Sequence, residues 1–255
     1  MKKVLLSLSL LVACVSLKSQ CSELFFSRYI QLGQSNKGFE IYNPTPNPIN
    51  LTGYRIERWK ANGSGLISTT MSDSLHLTAG AMIPAYGTWT LTNPEQNPAT
   101  AQNASICDTA LWLTADQHGN YYGTWGSSTG DPTYFKGNDC LILRNPAGNI
   151  IDVFGEIGVT VTYWSTLPTY RGGIGEGKWV SKGYLLERRS SVNAGVTSIP
   201  SSFNPMAQWD TIPRPLTLQD TLDTYAIMGS PFTSVCMVGM ADVNVLSRVS
   251  VYPNP

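Results

Sequence analysis

Residues 37–51, KGFEIYNPTPNPINL, decide the fold of this chain. Phe39 and Ile41 alternate with Glu40 and Tyr42, which is the two-residue period of a β-strand with one face in a core. Prolines then occupy alternate positions, and because proline has no amide proton for a sheet, strand pairing must end there. The stretch predicts a strand whose apolar face packs inward and whose other face, with Glu40 and Tyr42, is solvent-facing.

The composition of the whole chain favours a large all-β protein. A length of 255 residues with 42% hydrophobic content is ample for one sizeable core. Only 13% of residues are charged, while 23 glycines and 16 prolines indicate frequent turns. Basic and acidic residues balance at 17 each, so the chain has no basic excess with which to capture nucleic acid, and no nucleic-acid partner is expected.

Short apolar runs predict strands along the rest of the chain. In residues 53–59, Arg55 and Glu57 alternate with core residues and are expected to face water. Residues 93–117 lack strand alternation and predict a helical insertion of two or three turns within residues 99–113. The other predicted strands are residues 24–30, 75–83, 88–91, 137–143, 150–154, 184–188 and 225–229, and the strands at 137–143 and 150–154 are predicted to form a hairpin. Many short strands with one helical excursion predict an antiparallel β-sandwich.

The first 19 residues have the pattern of a secretory signal peptide, with Lys2 and Lys3 before a short apolar run. That run is too short and too rich in serine for a transmembrane helix, and no later segment is long enough to span a membrane. Two cleavage sites remain open. Cleavage at a lipoprotein box would leave a lipid on Cys14, whereas cleavage after Ser19 would leave Gln20 first. A secreted or outer cell-surface location is expected.

Cysteine usage depends on the same cleavage. Loss of Cys14 with the signal leaves four cysteines, an even number that suits disulfides in an exported protein. Cys21 lies just before the first predicted strand and Cys236 just after the last, and Cys107 and Cys140 share a middle segment. We therefore predict disulfides Cys21–Cys236 and Cys107–Cys140. Four buried free thiols are the alternative.

Two motifs resemble catalytic signatures without their structural setting. Residues 126–130, GSSTG, match the G-x-S-x-G elbow of hydrolases, but that elbow needs a core strand before it and a helix after it, and here a turn follows. Residues 171–177, RGGIGEG, lack the Lys-Ser/Thr pair of a phosphate-binding loop. We predict no catalytic residue, no cofactor-binding residue and no enzymatic activity.

Other polar and aromatic residues are predicted to have structural roles. Glu40 is expected to pair with a base on a neighbouring strand, such as Arg55 or Arg188. Four residues could offer oxygen and nitrogen ligands to calcium, but their spacing matches no known metal motif and turn roles are favoured, so no metal site is predicted; they are Asp116, His118, Asp131 and Asp139. Six aromatic residues could line a glycan platform, although burial is the commoner fate of tryptophan: Trp112, Trp125, Trp164, Trp179, Tyr121 and Tyr122.

Several spaced segments resemble the lamin-tail domain family of bacteria in order and spacing. They are residues 26–29, 40–43, 50–54, 83–89, 137–140, 151–155 and 186–189, with Trp209. The resemblance covers residues 21–236 and implies an immunoglobulin-like β-sandwich. It departs from the family where Cys140 replaces a small residue and where residues 93–131 are longer. It also implies a non-catalytic binding or adhesion module. An accessory domain of an extracellular hydrolase, a nuclease or protease whose catalytic part lies outside this chain, is the alternative.

The last residues, 249–255 (VSVYPNP), resemble the start of the C-terminal sorting domain of the type IX secretion system of Bacteroidetes. Such cargo usually carries an ordinary signal peptide, which favours cleavage after Ser19. We divide the chain into a signal peptide (1–19), a lamin-tail-like sandwich (20–236), a linker (237–248) and the start of a truncated sorting domain (249–255). The partner is expected to be a protein or glycan at the cell surface, contacted by loops 93–138 and 159–183.

Overall fold

The computed structural model describes residues 21–99, 105–121, 131–165, 180–212, 217–234 and 236. Within these ranges two helices occur, α1 (Thr109–Trp112) and α2 (Leu218–Ile227), with 3-10 turns at Pro132–Tyr134 and Pro205–Ala207. None of the helices in this part of the chain is long and apolar enough to cross a membrane. The strands are β1 (Phe25–Gln31), β2 (Lys37–Tyr42), β3 (Ile49–Asn50), β4 (Arg55–Trp59), β5 (Asp73–His76), β6 (Met82–Ile83), β7 (Thr88–Thr92), β8 (Gln117–His118), β9 (Cys140–Arg144), β10 (Ile150–Phe154), β11 (Tyr184–Arg188) and β12 (Trp209–Ile212).

Two main sheets form an immunoglobulin-like sandwich, which confirms the predicted fold class. The larger sheet has the strand order β12-β11-β1-β2-β7-β8 and the smaller one β10-β9-β4-β5, while β3 and β6 pair separately. Strand pairs are antiparallel except β7 with β8, which run parallel. The predicted hairpin of β9 and β10 is present.

An aromatic core fills the space between the two sheets. Phe39 and Ile41 belong to it, as the alternation of β2 predicts. Tyr29 of β1 stacks on Phe154 of β10 with ring centroids 4.5 Å apart, and Trp209 meets Phe154 edge-on at 5.4 Å. These contacts join the two sheets because β1 and β12 belong to the larger sheet and β10 to the smaller.

A third layer covers the outer face of the larger sheet. All six residues of β2 are buried, so the prediction that Glu40 and Tyr42 are solvent-facing is wrong. Part of this layer is α1 and α2, which pack on Ile30 and Leu185. The rest is the C-terminal strap, defined here as residues 228–234 together with Cys236. Glu57 of β4 is likewise buried rather than exposed.

Two secondary-structure predictions fail near these outer elements. The predicted strand at residues 225–229 is wrong, because Tyr225 lies in α2. This helix begins with a capping box in which Thr217 and Asp220 each satisfy the other's backbone amide, which stabilises the first turn. The predicted insertion helix is the single turn α1 in the described residues, and residues 100–104 lie outside them.

Candidate functional site

Glu40 lies at the buried end of an ion-pair chain whose centre is the buried Arg28. Arg28 of β1 lies directly opposite Glu40 of β2 and also opposite Glu187 of β11. Its guanidinium contacts Glu40 Oε2 at 3.0 Å and Glu187 Oε2 at 2.7 Å. The Ser27 hydroxyl donates to Glu40 Oε1 at 2.6 Å. Burial raises the pKa of the Glu40 carboxyl, and the donors around it oppose that rise.

The predicted partners of Glu40 form other pairs. Arg55 contacts Glu57 at 2.8 Å on the smaller sheet. Arg188 is fully buried against Asp152 at 3.1 Å. Strand order explains the difference. Strand β1 lies beside β2 in the larger sheet, whereas β11 is separated from β2 by β1 and β4 belongs to the smaller sheet.

A second buried charge lies at the other end of β2. The Lys37 ammonium donates to the Phe135 carbonyl at 3.0 Å, and the residue is only 8% exposed. Burial first, and then the positive charge of Arg58, lower the pKa of Lys37 to about 8. Arg58 in turn pairs with Asp73 and lies 3.7 Å from Asp139. No local sequence pattern distinguishes Lys37, since its burial depends on the distant turn that holds Phe135.

The four residues considered as metal ligands have separate structural roles. Within the described ranges no group of three His, Cys, Asp or Glu side chains could hold a metal ion. The Asp131 carboxylate caps a 3-10 turn, and burial raises its pKa. The polar contacts are from the Thr90 amide to Asp116, between the Thr92 hydroxyl and His118, from the Thr133 amide to Asp131 and from the Ala61 amide to Asp139.

The four cysteines of the described residues form one disulfide rather than two. Cys21 is bonded to Cys236, with Cα atoms 6.1 Å apart, so the two ends of the described fold are covalently joined. The predicted bridge between Cys107 and Cys140 is wrong, because both are free and buried. They belong to different clusters: Cys107 lies under the helices on the outer face of the larger sheet, and Cys140 lies in the core cluster. Burial raises the pKa of the Cys107 thiol to about 12.

Exposed aliphatic side chains occur on the helical layer, and we call Leu113, Leu218 and Leu222 the helical face. Leu218 and Leu222 lie one turn apart on α2 and are 74% and 36% exposed, and Leu113, just after α1, is 71% exposed. Leu113 lies towards the C-terminal end of α2, because the adjacent Thr114 carbonyl lies beside Gly229, whereas Leu218 is the first residue of that helix. The α2 sequence, LQDTLDTYAI, has two aspartates and no base.

The aromatic residues considered as a glycan platform do not form one in the described residues. Trp164 is buried and donates to the Asp139 carbonyl at 3.0 Å. Trp112 is half-buried and stacks on His118, with ring centroids 3.9 Å apart, and burial lowers the pKa of His118. Tyr121 is exposed. Trp125, Trp179 and Tyr122 lie outside the described residues, as do segments 1–19, 126–130, 171–177 and 249–255.

Comparison with known proteins bears on the fold and the family. A solved structure, that of a DUF4876 family protein from Bacteroides thetaiotaomicron, is similar with a TM-score of 0.44 and 10% identity, covering 84% of this chain and 75% of that one. None of the curated proteins compared with the chain matches it. The sequence model of the Lamin Tail Domain family matches residues 18–158, more than half of the chain. The protein therefore belongs to the lamin tail domain family.

Proposed function

We propose that this protein is a secreted or cell-surface, non-catalytic binding module that contacts a protein partner through its helical face. The observation that carries the proposal is the exposure of Leu113, Leu218 and Leu222, since most large apolar side chains among the described residues are buried. Apolar side chains exposed on two helices that contact each other are typical of interaction surfaces. Aliphatic side chains suit a protein partner, whereas glycan recognition relies on exposed aromatic faces.

The negative charge of α2 indicates the kind of protein surface that the partner presents. Asp220 and Asp223 lie on the same helix as Leu218 and Leu222, and that helix has no basic residue to balance them. A partner surface with an apolar centre and a basic rim is complementary to this arrangement. Association with such a partner should weaken as salt is added, since rim charges are screened.

A non-catalytic role is supported by the ion pairs that the buried charged residues form. Arg28, Arg58 and Arg188 each pair with carboxylates of the fold itself. Such groups hold the strands together and are not directed towards an open cleft. Membership of the lamin tail domain family supports the same reading.

Export is supported by the Cys21–Cys236 disulfide, since such bonds persist in oxidising compartments. The signal-like residues 1–19 and the resemblance of residues 249–255 to a type IX sorting domain add to this, and they suggest a protein of the Bacteroidetes type. A secreted or surface location of the tagged full-length protein in such a host, by protease accessibility on intact cells, would test it. A tagged protein found only in the cytosol would contradict it.

The binding proposal is tested by a matched pair of substitutions. Leu218→Asp should abolish capture of the partner from a cell-surface protein extract, with unchanged thermal stability, because the side chain is exposed. Met82→Asp, at another exposed apolar side chain distant in sequence, should leave capture intact. Glycan and DNA arrays probed with the same proteins complete the screen. Equal capture by the two variants, or binding only to glycan or DNA, would contradict a protein-binding helical face.

A further inference from the structure

The C-terminal strap lies on the outer face of β1 and β2, where two side chains of these strands form hydrogen bonds with the peptide groups of the strap. Glu40 Oε2 accepts from the Gly229 amide at 2.7 Å. The Arg28 guanidinium donates to the Ser230 carbonyl at 2.7 Å and to the Pro231 carbonyl at 3.3 Å. One ion pair therefore recognises three consecutive residues by their backbone, the acid accepting a hydrogen bond and the base donating two.

An aromatic pocket holds the next residue of the strap. Phe232 is 4% exposed, with its ring centroid 4.9 Å from that of Tyr42 and 6.4 Å from that of Phe25, both edge-on. The Arg28 guanidinium lies 5.8 Å from the Phe232 ring centroid, within the range of a cation–π contact. The pocket thus shares Arg28 with the peptide contacts.

The backbone of the strap restricts which sequence fits. Gly229 has φ +77°, in the left-handed region that favours glycine, and its amide is the one that Glu40 accepts. A residue with a side chain would be strained in this conformation. The site therefore selects glycine at the carboxylate and an aromatic residue three positions later in the pocket.

We propose that the outer face of β1 and β2 is a peptide-recognition site for a Gly-Ser-Pro-Phe segment, which the Cys21–Cys236 disulfide keeps occupied by its own chain, and that reduction lets the same segment of a second copy replace it. The exchange costs little in contacts, because a second copy presents an identical segment and remakes every hydrogen bond. The disulfide prevents exchange by tethering the strap beside β1, which keeps the local concentration of the chain's own segment high. Reduction by a dithiol gives two cysteine thiols and the cyclic disulfide of the reductant.

The test uses the full chain and a fluorescent peptide of residues 228–234. We expect saturable binding, measured by anisotropy, to the variant with Cys21→Ser and Cys236→Ser, and little binding to the oxidised wild-type chain. A matched peptide with Phe232→Ala should bind at least about thirtyfold more weakly, since a buried aromatic anchor contributes 2 kcal/mol or more. The double variant should also form a dimer whose fraction rises with concentration.

Circular dichroism tests whether the double variant is folded. If it is unfolded, the same peptide-binding measurement is made on the wild-type chain reduced with a phosphine. Peptide binding that is equal for oxidised and reduced chains would overturn the proposal, because the site would then not be locked. Absence of peptide binding to a folded, reduced chain would also overturn the proposal, because the strap would then be a permanent part of the outer layer. Dimer formation that persists with Phe232→Ala in the chain would exclude exchange at this site.

Discussion

Replacing Lys37 by methionine should stabilise the protein at neutral pH. The ammonium is buried and donates a hydrogen bond to the Phe135 carbonyl. Its pKa of about 8, against an ordinary value of 10.5, corresponds to a cost of about 3 kcal/mol for keeping it protonated at pH 7. Methionine keeps most of the volume but leaves the carbonyl unpaired, which costs roughly 1 kcal/mol or more. The net expectation for Lys37→Met is a gain of about 1–2 kcal/mol.

The pH dependence distinguishes this explanation from simple repacking. Below pH 8 Lys37 is protonated in both the folded and unfolded states, so its burial cost is fully present. Between pH 8 and 10.5 the folded state loses the proton first, so the free energy of unfolding of the wild-type chain rises by up to about 1.4 kcal/mol per pH unit. The advantage of Lys37→Met should therefore shrink across this window.

Urea unfolding of both proteins at pH 7 and pH 9.5 measures the effect as a difference, which cancels titrations common to the two chains. Lys60→Met, at an exposed lysine, is the control and should show no such pH dependence. The reasoning is refuted if the stability difference between Lys37→Met and the wild-type chain is the same at the two pH values.

Three further predictions concern the core and the cysteines. Ile41→Ala should lower the free energy of unfolding by about 2–5 kcal/mol, because the side chain is fully buried and leaves a cavity; a loss under about 1 kcal/mol in urea titrations would contradict this. Cys21→Ser should cost about 3–5 kcal/mol, since the disulfide spans 215 residues; an unchanged melting temperature in oxidising buffer would oppose it. Without reduction, Cys107 and Cys140 should both be alkylated only in denaturant, and a mass showing no alkylation even there would mean that they are bonded to each other.

The core of the sandwich was predictable from the sequence because the alternation of apolar and polar residues within each strand indicates which side chains face the core. The alternation of Phe39 and Ile41 and the hairpin of β9 and β10 depend on neighbours in sequence, and both were predicted. The outer layer was not predictable in this way. Alternation predicts solvent on the second face of β2, whereas residues some 190 positions later cover it.

The partner of Glu40 was missed for a related reason. Phe26 and Tyr29 both lie in the core although they are three residues apart, which a regular strand does not allow. The pairing of β1 with β2 shifts between Phe26 and Arg28, and this bulge turns Arg28 to the outer face opposite Glu40. A bulge of one residue leaves no composition signal. By contrast, Thr217 and Asp220 carried a detectable start signal for α2, which the strand prediction for residues 225–229 overlooked.

The elements that complete the fold lie partly beyond the family match, which ends at residue 158. Strand β11 pairs with β1, and its Arg188 neutralises the buried Asp152 of β10, so the matched part depends on residues that follow it. An unpaired buried carboxylate would cost several kcal/mol, which makes β11 a structural requirement and not an appendage.

Two of the three leucines of the helical face, and the whole C-terminal strap, also lie beyond residue 158. The part that matches the family supplies strands β1 to β10 and the Arg28–Glu40 pair, and the later residues supply β11, β12 and most of the surfaces proposed to interact. Most of the surface that we propose to interact therefore belongs to residues 217–234, which pack on the outer face of the larger sheet and are followed by the disulfide-bonded Cys236.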